Sequence, residues 1–351
     1  MTERSLVTAL SHAFVAFTIE ADNEFESRMP HRTAADRGDP SKTGPWLTSL
    51  TFWANYLRRI PENGCTVAEL ARGAGDDKAA IKSRLGELQR WRYVRFLPGA
   101  GDPRDRVVVP TEWGVLARET WGPIEELVEA RWRERFGDGV IDGLRQELTR
   151  LQVGSQLPVG FPILAWGHAT RIRPVAPSTA PTGLSTLLAR TILAMAQEFD
   201  LDSPLSLSMT QNLMRVLSVD RPSAIRDLPL RAGVSKEAIA IAAGHLVRGE
   251  LAAQSGTPKS LELTARGYTA AKRALARRDE LDDRWGASTS LVPLLAPISG
   301  RALAAGLEPR PDGWRARSPY LAQTRAVLAD PDSSLPAFPM VSHRGGYPDG
   351  S

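Results

Sequence analysis

Six side chains in one short stretch have the types and spacing that duplex DNA calls for. Lys78, Lys82, Ser83 and Arg84 fall within about two turns of a helical pattern, and Arg104 and Arg106 follow in a turn-rich segment. Lysine and arginine neutralise phosphates and release condensed counterions. Base edges in the major groove are read by hydrogen-bonding side chains of the same kinds. The plainer reading of these charges is a solvated helix face and hairpin. Other chemistry is sparse. No His-Glu-x-x-His, Gly-x-Ser-x-Gly or Cys-x-x-Cys occurs, and Gly38-Asp39-Pro40-Ser41-Lys42-Thr43 is wrongly spaced for a phosphate loop. No catalytic residue, metal or cofactor is therefore expected.

Three smaller constellations carry alternatives. Glu20, Asp22, Glu24 and Glu26 lie on the first helix near His12 and His31; Glu20 and Glu24 share a face and with a histidine would hold a metal, while a solvated acidic face is the simpler expectation. Cys65 stands just before a helix start, where a thiolate can be stabilised, against the simpler reading of an inert thiol. Phe14, Phe17, Trp53, Tyr56 and Trp113 are candidates to line a pocket for a small aromatic effector, or else to fill a core.

The elements that must position these groups follow from periodicity. Thr66-Val67-Ala68-Glu69 is a capping box, and Leu70 and Ala71 continue the apolar side of a short helix. Gly75 supplies a turn capped by Asp76 or Asp77, and a second helix follows with Ile81, Leu85 and Leu88 inward. The β-prone runs 94–97 and 107–109 flank a Pro/Gly/Asp-rich turn. A helix-turn-helix followed by a basic β-wing is a DNA-reading module. Around it, helices are expected at 5–27, 46–60, from Thr111 to about Phe136 with a kink at Gly122-Pro123, and at 140–153. Residues 28–45 read as a loop, and 154–181 as part tail, part linker.

The chain has 351 residues, with 42% hydrophobic and 24% charged residues and a net charge of +4, as in a soluble globular protein of two domains. No apolar run approaches membrane-spanning length and no signal-like start develops, so a cytoplasmic protein without membrane contact is expected. A single cysteine leaves no internal disulfide framework.

The stretch 66–114 resembles the winged helix-turn-helix of the MarR family of bacterial transcription regulators. That family's wing signature, Asp-x-Arg, a strand, then Thr-x-x-Gly, stands here as Asp102-Pro103-Arg104, Val107 to Val109, and Thr111-Glu112-Trp113-Gly114. Asp77 departs from the pattern, since the family usually places Ser there. The resemblance implies a DNA-binding regulator with recognition helix 77–91 and wing 97–107. Lys78, Ala79, Lys82 and Ser83 would face bases, Arg104 would enter the minor groove, and Arg106 would meet a phosphate. It also implies modulation by a small aromatic effector. The alternatives are a fold that has lost DNA binding and holds a small molecule or protein, or an enzyme site between the units.

The pattern then starts again. One constant step carries Leu70, Gly75, Ile81 and Leu88 to Leu228, Gly233, Ile239 and Leu246; another carries Thr111, Gly114 and Arg131-Trp132 to Thr264, Gly267 and Arg284-Trp285. Helices are expected at 224–230, 235–247 and 184–199, and even the tails match, with 157–164 resembling 335–341. The implied fold class is mainly α with small β-wings: two winged-helix units, 1–178 and 183–351, internally duplicated and packed as a single-chain pseudo-dimer, monomeric or further dimerised. The copy is faded. Residues 72–106 hold nine basic against five acidic residues, and 230–264 hold four against three. Only the first unit is therefore expected to read DNA. The closing run His343 to Ser351 is assigned no role.

Overall fold

The first helix, α1 (Leu6–Arg28), is buried on every side along most of its length. Its start is set by Ser5, whose hydroxyl accepts the Thr8 amide N–H at 3.2 Å. A helix apolar all round belongs at a centre, and Leu10, Phe14, Phe17 and Phe25 put it there. The computed structural model describes residues 4–33, 36, 43–74, 78–99, 106–152, 182–201, 203–218, 221–317 and 320–338. The turn at Gly75–Asp77, the wing tip with Arg104, the linker 154–181 and the run 343–351 lie outside the described residues.

Two expectations for this region need correction. Glu20, Asp22 and Glu26 do not form a solvated face, for each is 4% exposed. Each has a partner from another part of the chain: Arg135 and the Trp132 indole N–H on Glu20, Arg315 on Asp22, and the Trp314 amide on Glu26. The expected helix 46–60 shrinks to α2 (Leu50–Asn55) and a 3-10 turn at Leu57–Arg59. Trp46 instead bridges to Arg32 in extended backbone, and the Asp22 carboxylate accepts the Leu50 N–H at 2.8 Å, which fixes where α2 begins.

Next come β1 (Cys65–Thr66), α3 (Val67–Ala74), α4 (Lys78–Arg90), β2 (Val94–Pro98) and β3 (Arg106–Pro110). The sheet is antiparallel in the order β1-β3-β2, with Cys65 opposite Val108 and Val94 through Pro98 opposite Pro110 through Arg106. The capping box forms: Glu69 accepts from the Thr66 amide and hydroxyl at 2.8 Å each, and the Thr66 hydroxyl accepts the Glu69 N–H. These bonds hold the Glu69 carboxyl below its ordinary range. Gly122-Pro123 breaks the long helix into α5 (Glu112–Trp121) and α6 (Ile124–Phe136), and α7 (Asp138–Gln152) follows.

The second half repeats the order of parts: α8 (Leu184–Asp200), α9 (Gln211–Met214), β4 (Ser223–Ala224), α10 (Leu228–Ala232), α11 (Lys236–Arg248), β5 (Ala252–Ser255), β6 (Ser260–Leu263), α12 (Ala265–Ser288) and α13 (Leu291–Leu295). Its sheet order, β4-β6-β5, matches the first. The helix expected at 224–230 is instead a strand end, a 3-10 turn (Ile225–Asp227) and the short α10, whose start carries Pro229. Gly233 ends it at φ 72°. With no Gly-Pro pair to break it, α12 runs unbroken for 24 residues.

Both Thr-x-x-Gly motifs do the same work. The Thr111 and Thr264 hydroxyls accept the Gly114 and Gly267 amides and donate to the carbonyls of Arg92 and Glu250. Each glycine lies against the preceding hairpin. A Cβ on Gly114 would fall 2.1 Å from the Tyr93 carbonyl oxygen, and one on Gly267 1.8 Å from that of Leu251. The centre is reciprocal: α1 packs on α8, α7 on α8, and α13 on α1. The last described helices are α14 (Gly300–Ala304), α15 (Leu321–Ala329) and α16 (Pro331–Ser334). The stretch after α16 is held by the Ser11 hydroxyl on the Pro336 carbonyl and by two bonds between Asn212 and the Phe338 backbone. Among the described residues no helix is long and apolar enough to cross a membrane.

Candidate nucleic-acid interface

Helix α4 is held by Ile81, Leu85 and Leu88, each fully buried. That anchoring turns Lys82 and Ser83 outward, and both are exposed. Lys78 is the first residue of α4. Arg84 corrects the expectation: it lies on the inner side of α4, 3% exposed, with Glu87 at 3.7 Å. Position 84 lies three residues after Ile81 and four before Leu88 and so shares their side of the helix, which packs the arginine inward and away from any surface that α4 offers to DNA.

The hairpin beside α4 shows a cation on each face. Arg106 is exposed, with its guanidinium 4.0 Å from the Phe96 ring centre on one face. Arg95 is exposed on the other, opposite Val109. Arg95 was not among the residues picked out from the sequence. The alternation of strand residues between faces was the signal for it, since Val94 and Phe96 turn inward. Arg92, at φ 72° where α4 meets the hairpin, donates to the Thr43 carbonyl and ties the lobe to the segment before α2. Cys65, half-buried in β1, has its thiol pushed up by burial and by the Glu69 charge, which favours the inert form.

The step that carries Leu70 to Leu228 carries Lys82, Ser83 and Arg95 to Ala240, Ile241 and Ala253. The second hairpin keeps one exposed cation at the matching place, Lys259.

The aromatic residues considered for an effector fill the core instead. Phe14 is buried, Phe17 meets Trp132 edge-on at 5.2 Å, Trp53 stacks on Trp121 at 5.9 Å, and Tyr56 tilts against Phe52 at 5.8 Å. Only Trp113 reaches one of the described cavities, a cleft of about 460 Å³ whose other walls include Glu26, His31, Asp36, Arg310 and Arg317. Trp314 lines it too, but much of its wall is charged, and the other four aromatic candidates do not reach it.

The acidic and imidazole groups of α1 are likewise spoken for. Burial pushes the His12 imidazole down to about 3, helped by Arg4, so it is neutral. Burial disfavours a charged His31, yet the Glu26 carboxylate beside it prevails and raises its pKa. Glu24 pairs with Arg28 and Arg131. Among the described residues no three metal-binding side chains converge.

No protein-family model, no curated protein and no solved structure matches the chain.

Proposed function

We propose that this chain is a DNA-binding regulator resembling the MarR family, made of two winged helix-turn-helix units that arose by internal duplication and dock as a single-chain pseudo-dimer. The first unit reads duplex DNA and the second is mainly its docking partner. The observation that carries this reading is the basic row beside a fixed helix: α4 turns Lys82 and Ser83 outward next to a hairpin with an exposed arginine on each face. A helix in that setting suits the major groove, and the hairpin suits the flanking backbone. On this reading Lys78 and Arg104 also contact DNA. The equal strand orders and the reciprocal packing of α1, α7, α8 and α13 support the pseudo-dimer. A bound small molecule would act by changing the angle between the units.

The test is retention of genomic duplex fragments by the full chain over a salt series. Binding should weaken steeply with salt, and Lys82→Ala and Arg95→Ala should each weaken it. Failure to retain any fragment at low salt would overturn the reading. Equal losses from Lys82→Ala and Lys259→Ala would overturn its asymmetry.

A further inference from the structure

The constant step from Thr111 to Thr264 also carries Trp113, Thr120 and Ile124 to Arg266, Arg273 and Arg277. Three uncharged positions of the first half are thus all arginine in the second. Seven and eleven residues along a helix return to nearly the same direction, so the three arginines form one stripe on α12. The stripe lines a groove of about 660 Å³ between α12, Ser203-Pro204 after the end of α8, and Leu251 just before β5.

The groove exists because two fillers are missing. In the first half Trp121 is fully buried, stacked on Phe25 with ring centres 4.3 Å apart. The same step carries Trp121 to Ala274. Phe25 sits on the last turns of α1, which continues to Arg28 beyond Asp22. Asp200, whose carboxylate accepts the Leu207 N–H as Asp22 accepts that of Leu50, is the last residue of α8. The second half has therefore lost both the indole and the helix turn that carries the phenyl ring.

The arginines are only partly satisfied. Arg273 is exposed and makes no hydrogen bond or ion pair among the described residues. Arg277 donates from Nη2 to the Glu198 carbonyl at 2.7 Å, while its Nε–H is buried without a hydrogen-bond partner. Arg266 meets Glu250 at 3.1 Å. Arg273 and Arg277, one turn apart, repel one another, and an anion between them relieves that repulsion. The floor beneath is apolar, formed by Leu251, Ala270 and Ala274, while Thr269 and one carboxylate, Glu280 about a turn beyond Arg277, also line the groove.

We propose that this groove binds a small phosphorylated molecule. Arg273 and Arg277 hold the phosphoryl oxygens, since paired guanidinium forks match a dianion with three acceptors. The body of the ligand lies over Leu251, Ala270 and Ala274, with Arg266 at the far end, about 10 Å along the helix from Arg273. The concavity and its apolar floor favour a small molecule over a nucleic-acid backbone. The site does not rest on DNA reading by the first half, because its ligand can be measured with no DNA present.

The test is calorimetry and thermal melting of the full chain with phenyl phosphate and with inorganic pyrophosphate, against sodium chloride at equal ionic strength. Both probes should bind and raise the melting temperature. Arg273→Gln should weaken both at least about tenfold, as expected for a lost charge-assisted contact, with Arg273→Lys partly restoring them. Ala274→Trp, which refills the groove, should abolish phenyl phosphate binding, and Lys82→Ala should leave both probes unchanged. The proposal fails if neither probe stabilises the wild-type chain, or if Arg273→Gln binds them as tightly as wild type. It also fails if Arg273→Gln lowers only affinity for duplex DNA. Arg273 is exposed, so its variant keeps the test decisive even if Ala274→Trp does not fold.

Discussion

In the lobe of residues 65–121, α4 shows Lys82 and Ser83 to solvent and the hairpin shows Arg95 and Arg106; in the lobe of residues 223–288, the matching positions are Ala240, Ile241, Ala253 and Lys259. Beneath these surfaces the junction between helix and hairpin is bonded alike in both. Tyr93 N–H donates to the Leu88 carbonyl as Leu251 N–H donates to that of Leu246, and the amides of Thr111 and Thr264 return to the carbonyls of Tyr93 and Leu251. Arg92 and Glu250 both adopt positive φ at the same junction. A side chain facing water is free to change, whereas a turn closed by its own amides and carbonyls is not. The lesson is that a shared framework carries two different surfaces, one basic and one largely neutral.

The largest effect should come from breaking that framework in each lobe. Gly114→Ala and Gly267→Ala should each destabilise by about 3 kcal/mol, since the added methyl collides with a backbone carbonyl. Chemical denaturation checks this. A near-neutral result at one glycine alone would show that the two motifs are not equivalent.

The central helix sharpens the comparison on the inner side. Asp22 is pushed up to about 6 by burial, against the pull of Arg315, from an ordinary value of 3.8. A carboxyl that holds its proton more tightly when folded favours the folded state below 3.8, and that contribution is lost as pH rises from 3.8 through 6. Its slope is at most about 1.4 kcal/mol per pH unit. Denaturation at several pH values should show this fall over the window, and Asp22→Asn should remove it. An unchanged profile in that variant would place the proton elsewhere.

Next in size is the effect on the proposed DNA surface. Lys82→Ala should cost about tenfold in duplex affinity, or about 1.4 kcal/mol, while Ala240→Lys should restore little by itself because its hairpin lacks the cation matching Arg95. Arg84→Ala should change stability without altering the salt dependence of binding, since the side chain is buried. The smallest effect is on that salt dependence itself. Arg104→Ala should reduce the slope by about one phosphate contact, measured by fluorescence anisotropy, and Lys259→Ala should reduce it less.

Much of the framework was legible in the sequence because its signals are local. The capping box at Thr66–Glu69, the break at Gly122-Pro123, the two hairpins and the repeated Thr-x-x-Gly each depend on residues within a few positions of one another. The misreadings came where distant segments decide. Glu20, Asp22 and Glu26 have the spacing of a solvated row, but Arg135, Trp314 and Arg315 approach from 115 to 293 positions away and bury them. Arg84 looked like its neighbours Lys82 and Ser83, and only the packing of α4 separated them. The aromatic residues carried no mark to tell a pocket lining from a filled core.

The sequence by itself determined the capping box, the break at Gly122-Pro123, where the hairpins turn, and the lower charge of residues 230–264 beside 72–106, because caps, turns and periodicity are short-range preferences of the backbone. Tertiary structure alone decided which charges meet water and which meet each other, and that the open groove lies beside α12 instead of among the aromatics of the first half. Burial and cavity volume depend on what the rest of the chain brings to a position, and no short-range preference specifies that.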